Sequence, residues 1–212
     1  MRVTLACLLA VTLSACESLS PVVPATENLQ LVHAEHVRQV NSLASWTLEG
    51  RISIRLEEDA WHAGLYWNQI RDIYQIKIIA PFGQGGAQLD GSAYGVVLNN
   101  GEGEFRADSA DQLLKQQFGW RIPVDGLRYW ATGQPAPTDE SDPAPGVSYN
   151  SAGYISTISQ GGWQVEYRRY TNVDGLSLPG KIFLKHQNGL DVRLVVDNWK
   201  TQRDQVTADE RG

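Results

Sequence analysis

The 212-residue chain carries 24 acidic against 18 basic side chains, a net charge of −6, with seven tryptophans and only two cysteines. That balance excludes a nucleic-acid binder, which needs a basic footprint, and argues against an electrostatic hold on anionic membrane surfaces. The length allows one substantial domain with its own core.

Arg2 precedes an apolar run, Val3 to Leu13, which leads into Leu13-Ser14-Ala15-Cys16. A basic n-region, a short h-region and a small-residue cleavage site ending at cysteine make residues 1–15 a bacterial lipoprotein signal. An ordinary secretory signal or an uncleaved apolar N-terminus is the alternative, and the cysteine at the cleavage site is what separates them. Cys16 is then the lipid-attachment residue, and the apolar run is too short to span a bilayer. Glu17 follows it, where an aspartate favours inner-membrane retention in many Gram-negative lipoproteins, so a lipid anchor in the outer membrane, facing the periplasm, is expected. Cys7 leaves with the leader, so no disulfide remains possible and about 197 residues must be held by packing alone.

Residues 16–26, small, polar and punctuated by proline, read as a tether; residues 27–199 read as the domain. Leu29, Val32, His36, Val37, Val40 and Leu43 recur near helical spacing and predict one amphipathic helix from Glu27 to Leu43. His33 and His36 share that helix with Glu35 but lack further donors, so no metal site is expected. From Trp46 the period becomes two: Leu48, Ile52 and Ile54 alternate with Thr47, Arg51 and Arg55. The acidic turn Glu57-Glu58-Asp59 leads to Trp61, Ala63, Leu65 and Trp67 on one face. Alternation continues through Tyr74, Ile76 and Ile78, through Ala87 and Leu89, and through Tyr94, Val96 and Leu98, with Asn100-Gly101 as a hairpin turn.

After a strand at Phe105, Asp108 is placed to cap a helix with Leu113, Leu114 and Phe118 inward and Gly119 at its end. Pro123 opens a second short helix carrying Leu127 and Trp130, stopped at Gly133. Gln134 to Val147, with four prolines, reads as a mobile surface loop without a domain boundary. Strands resume at Trp163, Val165 and Tyr167, at Ile182 and Leu184, and at Leu190, Val192, Leu194 and Val196. Residues 200–212 read as a polar, disordered tail. The total is about ten or eleven short strands interrupted once by two helices, a mainly β pattern suiting a curved antiparallel sheet closed or half closed around helices.

No Gly-rich phosphate loop and no nucleophile elbow is present, and the four histidines are scattered, so neither an enzyme nor a cofactor is expected. Ala80-Pro81-Phe82-Gly83-Gln84-Gly85-Gly86 stands apart from the strand pattern. Glycines leave Phe82 uncovered while Pro81 stiffens its approach, so the ring can enter a bilayer interface or fold back on its own hairpin. Strand parity and helix face select Leu48, Ile52, Ile54, Leu65, Trp67, Ile76, Ile78, Leu89, Leu114, Trp130, Val165 and Leu194 as candidates for the wall of an apolar cavity. Parity cannot separate cavity wall from packed core.

The lipobox, Gly50-Arg51, Trp67 with Asp72 and Tyr74, Pro81-Phe82-Gly83, Phe118-Gly119-Trp120-Arg121-Ile122-Pro123 and Asp197-Asn198-Trp199 together resemble the LolB family of outer-membrane lipoprotein receptors, from about Cys16 to Trp199. The resemblance implies a half-open antiparallel β-barrel of about eleven strands with a helical lid. Its cavity would take acyl chains of outer-membrane lipoproteins from the periplasmic carrier LolA and deliver them to the phospholipid of the inner leaflet. It also implies that Pro81, Phe82 and Gly83 form a membrane-insertion loop, with phenylalanine where the family usually has leucine. The protein is expected to act as a monomer. Two other classes stay open: a lipocalin-like lipoprotein binding a small hydrophobic ligand, and a structural lipoprotein with a filled barrel.

Overall fold

The computed structural model describes residues 25–81 and 85–203. The leader, Cys16, most of the tether, Phe82, Gly83 and residues 204–212 lie outside the described residues. Helix α1 (Ala25–Asn41) precedes six strands, β1 (Leu43–Leu56), β2 (Asp59–Ile70), β3 (Ile73–Ile79), β4 (Gly86–Ser92), β5 (Gly95–Asn99) and β6 (Glu104–Ala107). Two short helices follow, α2 (Ala110–Phe118) and α3 (Val124–Ala131). Five strands complete the fold: β7 (Gly146–Tyr149), β8 (Ile155–Gln160), β9 (Trp163–Val173), β10 (Leu176–His186) and β11 (Asp191–Arg203).

All eleven strands form one antiparallel sheet in the order β6-β5-β4-β3-β2-β1-β11-β10-β9-β8-β7. Strands β1 to β6 pair in sequence order, as do β7 to β11, and the last strand returns to pair with the first. The two halves therefore meet at β1–β11, and β6 and β7 become free edges. The segment carrying α2 and α3 runs from one edge to the other, which makes it the lid of a half-open barrel.

Alternation builds the inner face. Leu48, Ile52 and Ile54 of β1 are buried while Arg51 and Arg55 are exposed. The β1–β11 register slips between Glu49 and Gly50. A Cβ on Gly50 would stand 2.2 Å from the Val195 carbonyl oxygen, so only glycine lets the two backbones approach that closely. Beside the slip, the Arg51 guanidinium grips Asp197 in a fork, with Nη2 to Oδ1 at 2.8 Å and Nε to Oδ2 at 3.2 Å. These contacts tie Gly50-Arg51 to Asp197 across the β1–β11 joint.

At the end where β1 begins, Trp46 packs against Trp67 and Trp199 with ring centroids 5.2 and 5.4 Å apart. The Trp199 indole N–H donates to the Pro179 carbonyl at 2.9 Å. Helix α1 lies against the same end. Its His36 is 3% exposed, donates from Nε2 to the Ser177 carbonyl at 2.8 Å, and presents its ring to Tyr154 and Tyr170.

Several boundaries differ from the sequence reading, each for a local reason. Helix α1 stops at Asn41 and β1 starts at Leu43, because Leu43 and Ser45 find partners in Arg203 and Gln202. The same pairing carries β11 four residues past Trp199, so residues 200–203 are strand. Ser109, not Asp108, takes the N-cap position of α2, its hydroxyl donating to Asp111 Oδ1 at 2.6 Å. Trp61 and Tyr94 sit at hairpin ends, 38% and 101% exposed, where strand parity no longer buries a side chain. Residues 134–145 form no helix or strand, yet Gln134 is buried and Ala136 is held at both its N–H and its carbonyl by the Gln160 side chain. Gly146 and Val147, read as loop, open β7.

Candidate functional site

Between the lid and the inner face of the sheet lies a cavity of about 50 Å³ whose lining residues are all apolar. Of the expected wall residues, Ile52, Ile54, Leu65, Trp67, Ile76 and Ile78 line it from β1 to β3. Leu89, Leu114 and Leu194 line it from β4, α2 and β11. Leu48, Trp130 and Val165 do not. Leu48 is fully buried and pairs with Trp67 and Trp199, at the end of the barrel filled by indoles. Val165 is fully buried between its pairing partners Ile158 and Leu184. Trp130 donates its indole N–H to Gln160 Oε1 at 3.0 Å and faces a separate cleft.

The lining also takes in residues that parity alone did not select. Ala87 and Leu98 come from the β4–β5 side, Leu184 and Val192 from β10 and β11, and Phe118, Trp120, Ile122, Val124 and Leu127 from the lid. The signal for Leu184 and Val192 was the strand alternation itself, which puts Leu184 on the face of Ile182 and Val192 on the face of Leu194. The Trp67 indole N–H at the cavity wall is satisfied: it donates to Gln69 Oε1 at 3.0 Å, and Gln69 Nε2 donates to the Arg71 carbonyl at 2.7 Å.

The two lid helices are held differently. Arg128 of α3 pairs with Asp72 of the β2–β3 turn at 2.8 Å, and Tyr167 donates its hydroxyl to the Trp130 carbonyl at 2.9 Å. Burial pushes the Tyr167 phenol well above its ordinary range, so it stays a donor. Helix α2 buries Ala110, Leu113 and Leu114, but among the described residues it makes no hydrogen bond or ion pair to a strand. Gly119, in the left-handed region at φ 83°, ends α2 and leads into the irregular joint that carries Trp120. Phe118, expected to face inward, is 37% exposed and stacks on Trp120 at 5.4 Å.

On the opposite edge of the cavity wall, the Ala80 N–H donates to the Gly85 carbonyl at 3.2 Å and closes the base of the β3–β4 connection. Pro81 stands just inside that base, and Phe82 and Gly83 follow outside the described residues.

The family model described as outer membrane lipoprotein LolB matches residues 44–199. The chain belongs to the LolB family. The LolB of Pseudomonas syringae pv. syringae is 36% identical over 170 residues, covering 80% of each chain. That of Pseudomonas putida GB-1 is 37% identical over 169 residues, 79% of this chain and 80% of its own. Both relatives are named outer-membrane lipoproteins. A solved structure described as an outer membrane lipoprotein-sorting protein domain of Vibrio parahaemolyticus overlays with a TM-score of 0.57. It covers 88% of this chain and 95% of its own at 10% identity, a likeness of fold. The LolB match begins at β1 and ends at Trp199, so it contains the whole cavity wall and both lid helices.

Proposed function

We propose that this LolB-family protein is the outer-membrane acceptor for acylated lipoproteins, taking their acyl chains from the periplasmic carrier LolA and releasing them into the inner leaflet. The observation that carries the reading is the all-apolar cavity beneath a lid whose α2 arm is held by packing alone. Each buried methylene contributes roughly 0.8 kcal/mol, so exposing a sixteen-carbon chain to water costs on the order of 12 kcal/mol. Cargo with such chains needs a sheltered path. The sequence carries no Gly-rich phosphate loop, so direction is assigned to affinity: chains pass from carrier to this cavity to the bilayer, each step downhill.

At about 50 Å³ the cavity is well below the range of about 300–1,000 Å³ usual for a small-ligand site, so it must widen for a chain to enter, with α2 as the part that lifts. Helix α3 stays seated through Asp72 and Tyr167 and serves as the fixed side of the movement. Cys16 carries the anchor and sets location; the transfer machinery belongs to the body, which acts as a monomer.

Phe82 is assigned to release, through contact with the bilayer. Phe82→Glu is expected to accept cargo from loaded carrier and to leave it undelivered when liposomes are added. Normal delivery by this variant would remove the loop from the mechanism. The primary test mixes a soluble Cys16→Ala form, made without its leader, with LolA carrying a triacylated lipoprotein. Cargo should move to this protein. Cargo that stays on a carrier still competent toward another receptor would refute the acceptor role and favour a small-ligand binder.

A further inference from the structure

A second, open cleft of about 1150 Å³ adjoins the cavity, walled by the α2–α3 joint, the proline-rich segment and the β8–β9 and β10–β11 turns. Trp120 lines both spaces, so a molecule with its apolar part in the cavity would emerge past this indole into the cleft. The cleft differs in chemistry from the cavity. Its walls carry the indoles of Trp120, Trp130 and Trp163 together with charges of both signs, Lys115, Arg121 and Lys185 against Asp111 and Asp142, and Lys115 is turned to the Gly119 carbonyl at 2.9 Å. Asp111 and Arg121 already pair at 3.3 Å.

A phosphate headgroup calls for converging cations, and acids on the same wall oppose it. An extended peptide suits this wall better, because it brings backbone donors and acceptors and side chains of either charge, while indoles offer broad contact at varied sequence. The volume points the same way, exceeding the range of about 300–1,000 Å³ usual for a small ligand.

We propose that the cleft holds the N-terminal peptide of the acylated cargo, the residues directly after its lipidated cysteine. The inference rests on the acceptor reading above. The cavity then takes the chains and the cleft takes the polypeptide that leaves them. Recognition of a lipoprotein, as opposed to a free fatty acid, resides in the cleft.

The test uses the full lipidated chain in its own membrane, with the photo-crosslinking residue p-benzoylphenylalanine placed singly at Thr138 or Gln187. Both are exposed residues lining the cleft from different elements. Phe118, on the cavity wall, and Tyr94, on the exposed β4–β5 turn, take the same residue as comparisons. A co-expressed triacylated reporter lipoprotein should crosslink from Thr138 and Gln187 at the first residues after its lipidated cysteine. The product should be lost at Tyr94 and lost when the reporter is secreted without lipid. Cargo captured from Phe118 but not from the cleft positions, or phospholipid captured there instead, would overturn the peptide site and leave the acceptor role standing. Capture of no cargo at any position, Phe118 included, would overturn both.

Discussion

At the scale of single residues, Gly50 shows how a motif can be visible in sequence while its reason is not. The alternation of β1 marks Gly50 only as a small member of an apolar face. The structure shows that the missing Cβ lets Val195 approach, and that a side chain would collide with backbone, which has no rotamer to retreat into. Gly50→Ala is expected to destabilise the fold by about 1–3 kcal/mol, read as a lower urea midpoint, whereas an unchanged midpoint would mean that β11 can shift. His36 was legible as part of an apolar helix face, but its burial against Ser177, Tyr154 and Tyr170 depends on strands more than a hundred residues away. Burial holds both His33 and His36 below the ordinary value of 6.5, with their mutual repulsion adding to the effect at His33. The unfolded chain therefore takes up protons that the folded one resists. Stability should be level above about pH 6.5 and fall as the pH drops below it, and a His33→Gln/His36→Gln chain should show a flatter profile over that range. Equal slopes for the two proteins would place the acid sensitivity elsewhere.

Among the elements, the lid helices were readable from Leu113, Leu114, Leu127 and the Gly119 and Pro123 boundaries. Their unequal attachment was not, since Asp72 and Tyr167 reach α3 from strands β2–β3 and β9. Sequence parity also found most of the inner face, because an inward residue every second position is a local property. Leu48 and Val165 face inward but sit outside the cavity lining for a reason parity cannot encode: position along the barrel axis decides whether an inward side chain meets indoles, neighbouring strands or open space. Trp130 hydrogen-bonds Gln160 and lines the cleft. The difference between the two helices carries a prediction. Amide hydrogen exchange should be faster over residues 110–118 than over 124–131, because among the described residues opening α2 breaks no hydrogen bond or ion pair to a strand, whereas lifting α3 breaks several. Uniform exchange across both helices would indicate a lid that moves as one rigid piece.

Across the whole molecule, the excess of acidic residues constrains the protein only from outside; the half-open barrel comes from topology. The strand count and the lid could be read from pattern, but the joining of β1 to β11 could not, because no local signal specifies which strands meet across the length of the chain. That joint has a consequence for how the protein comes into being. The central pair of the sheet couples the first strand to the last, so the inner wall cannot assemble until nearly the whole chain has emerged from the export machinery. Sheets dominated by such distant pairings fold in about milliseconds to seconds, slower than helical domains. A chain ending before Asp191 should show no cooperative unfolding transition, and one that did would mean the β1–β6 half folds by itself. Until β11 arrives, the apolar lining supplied by β1 to β4 has no opposing wall, and synthesis order thus leaves the cavity unfinished until the last strand is made.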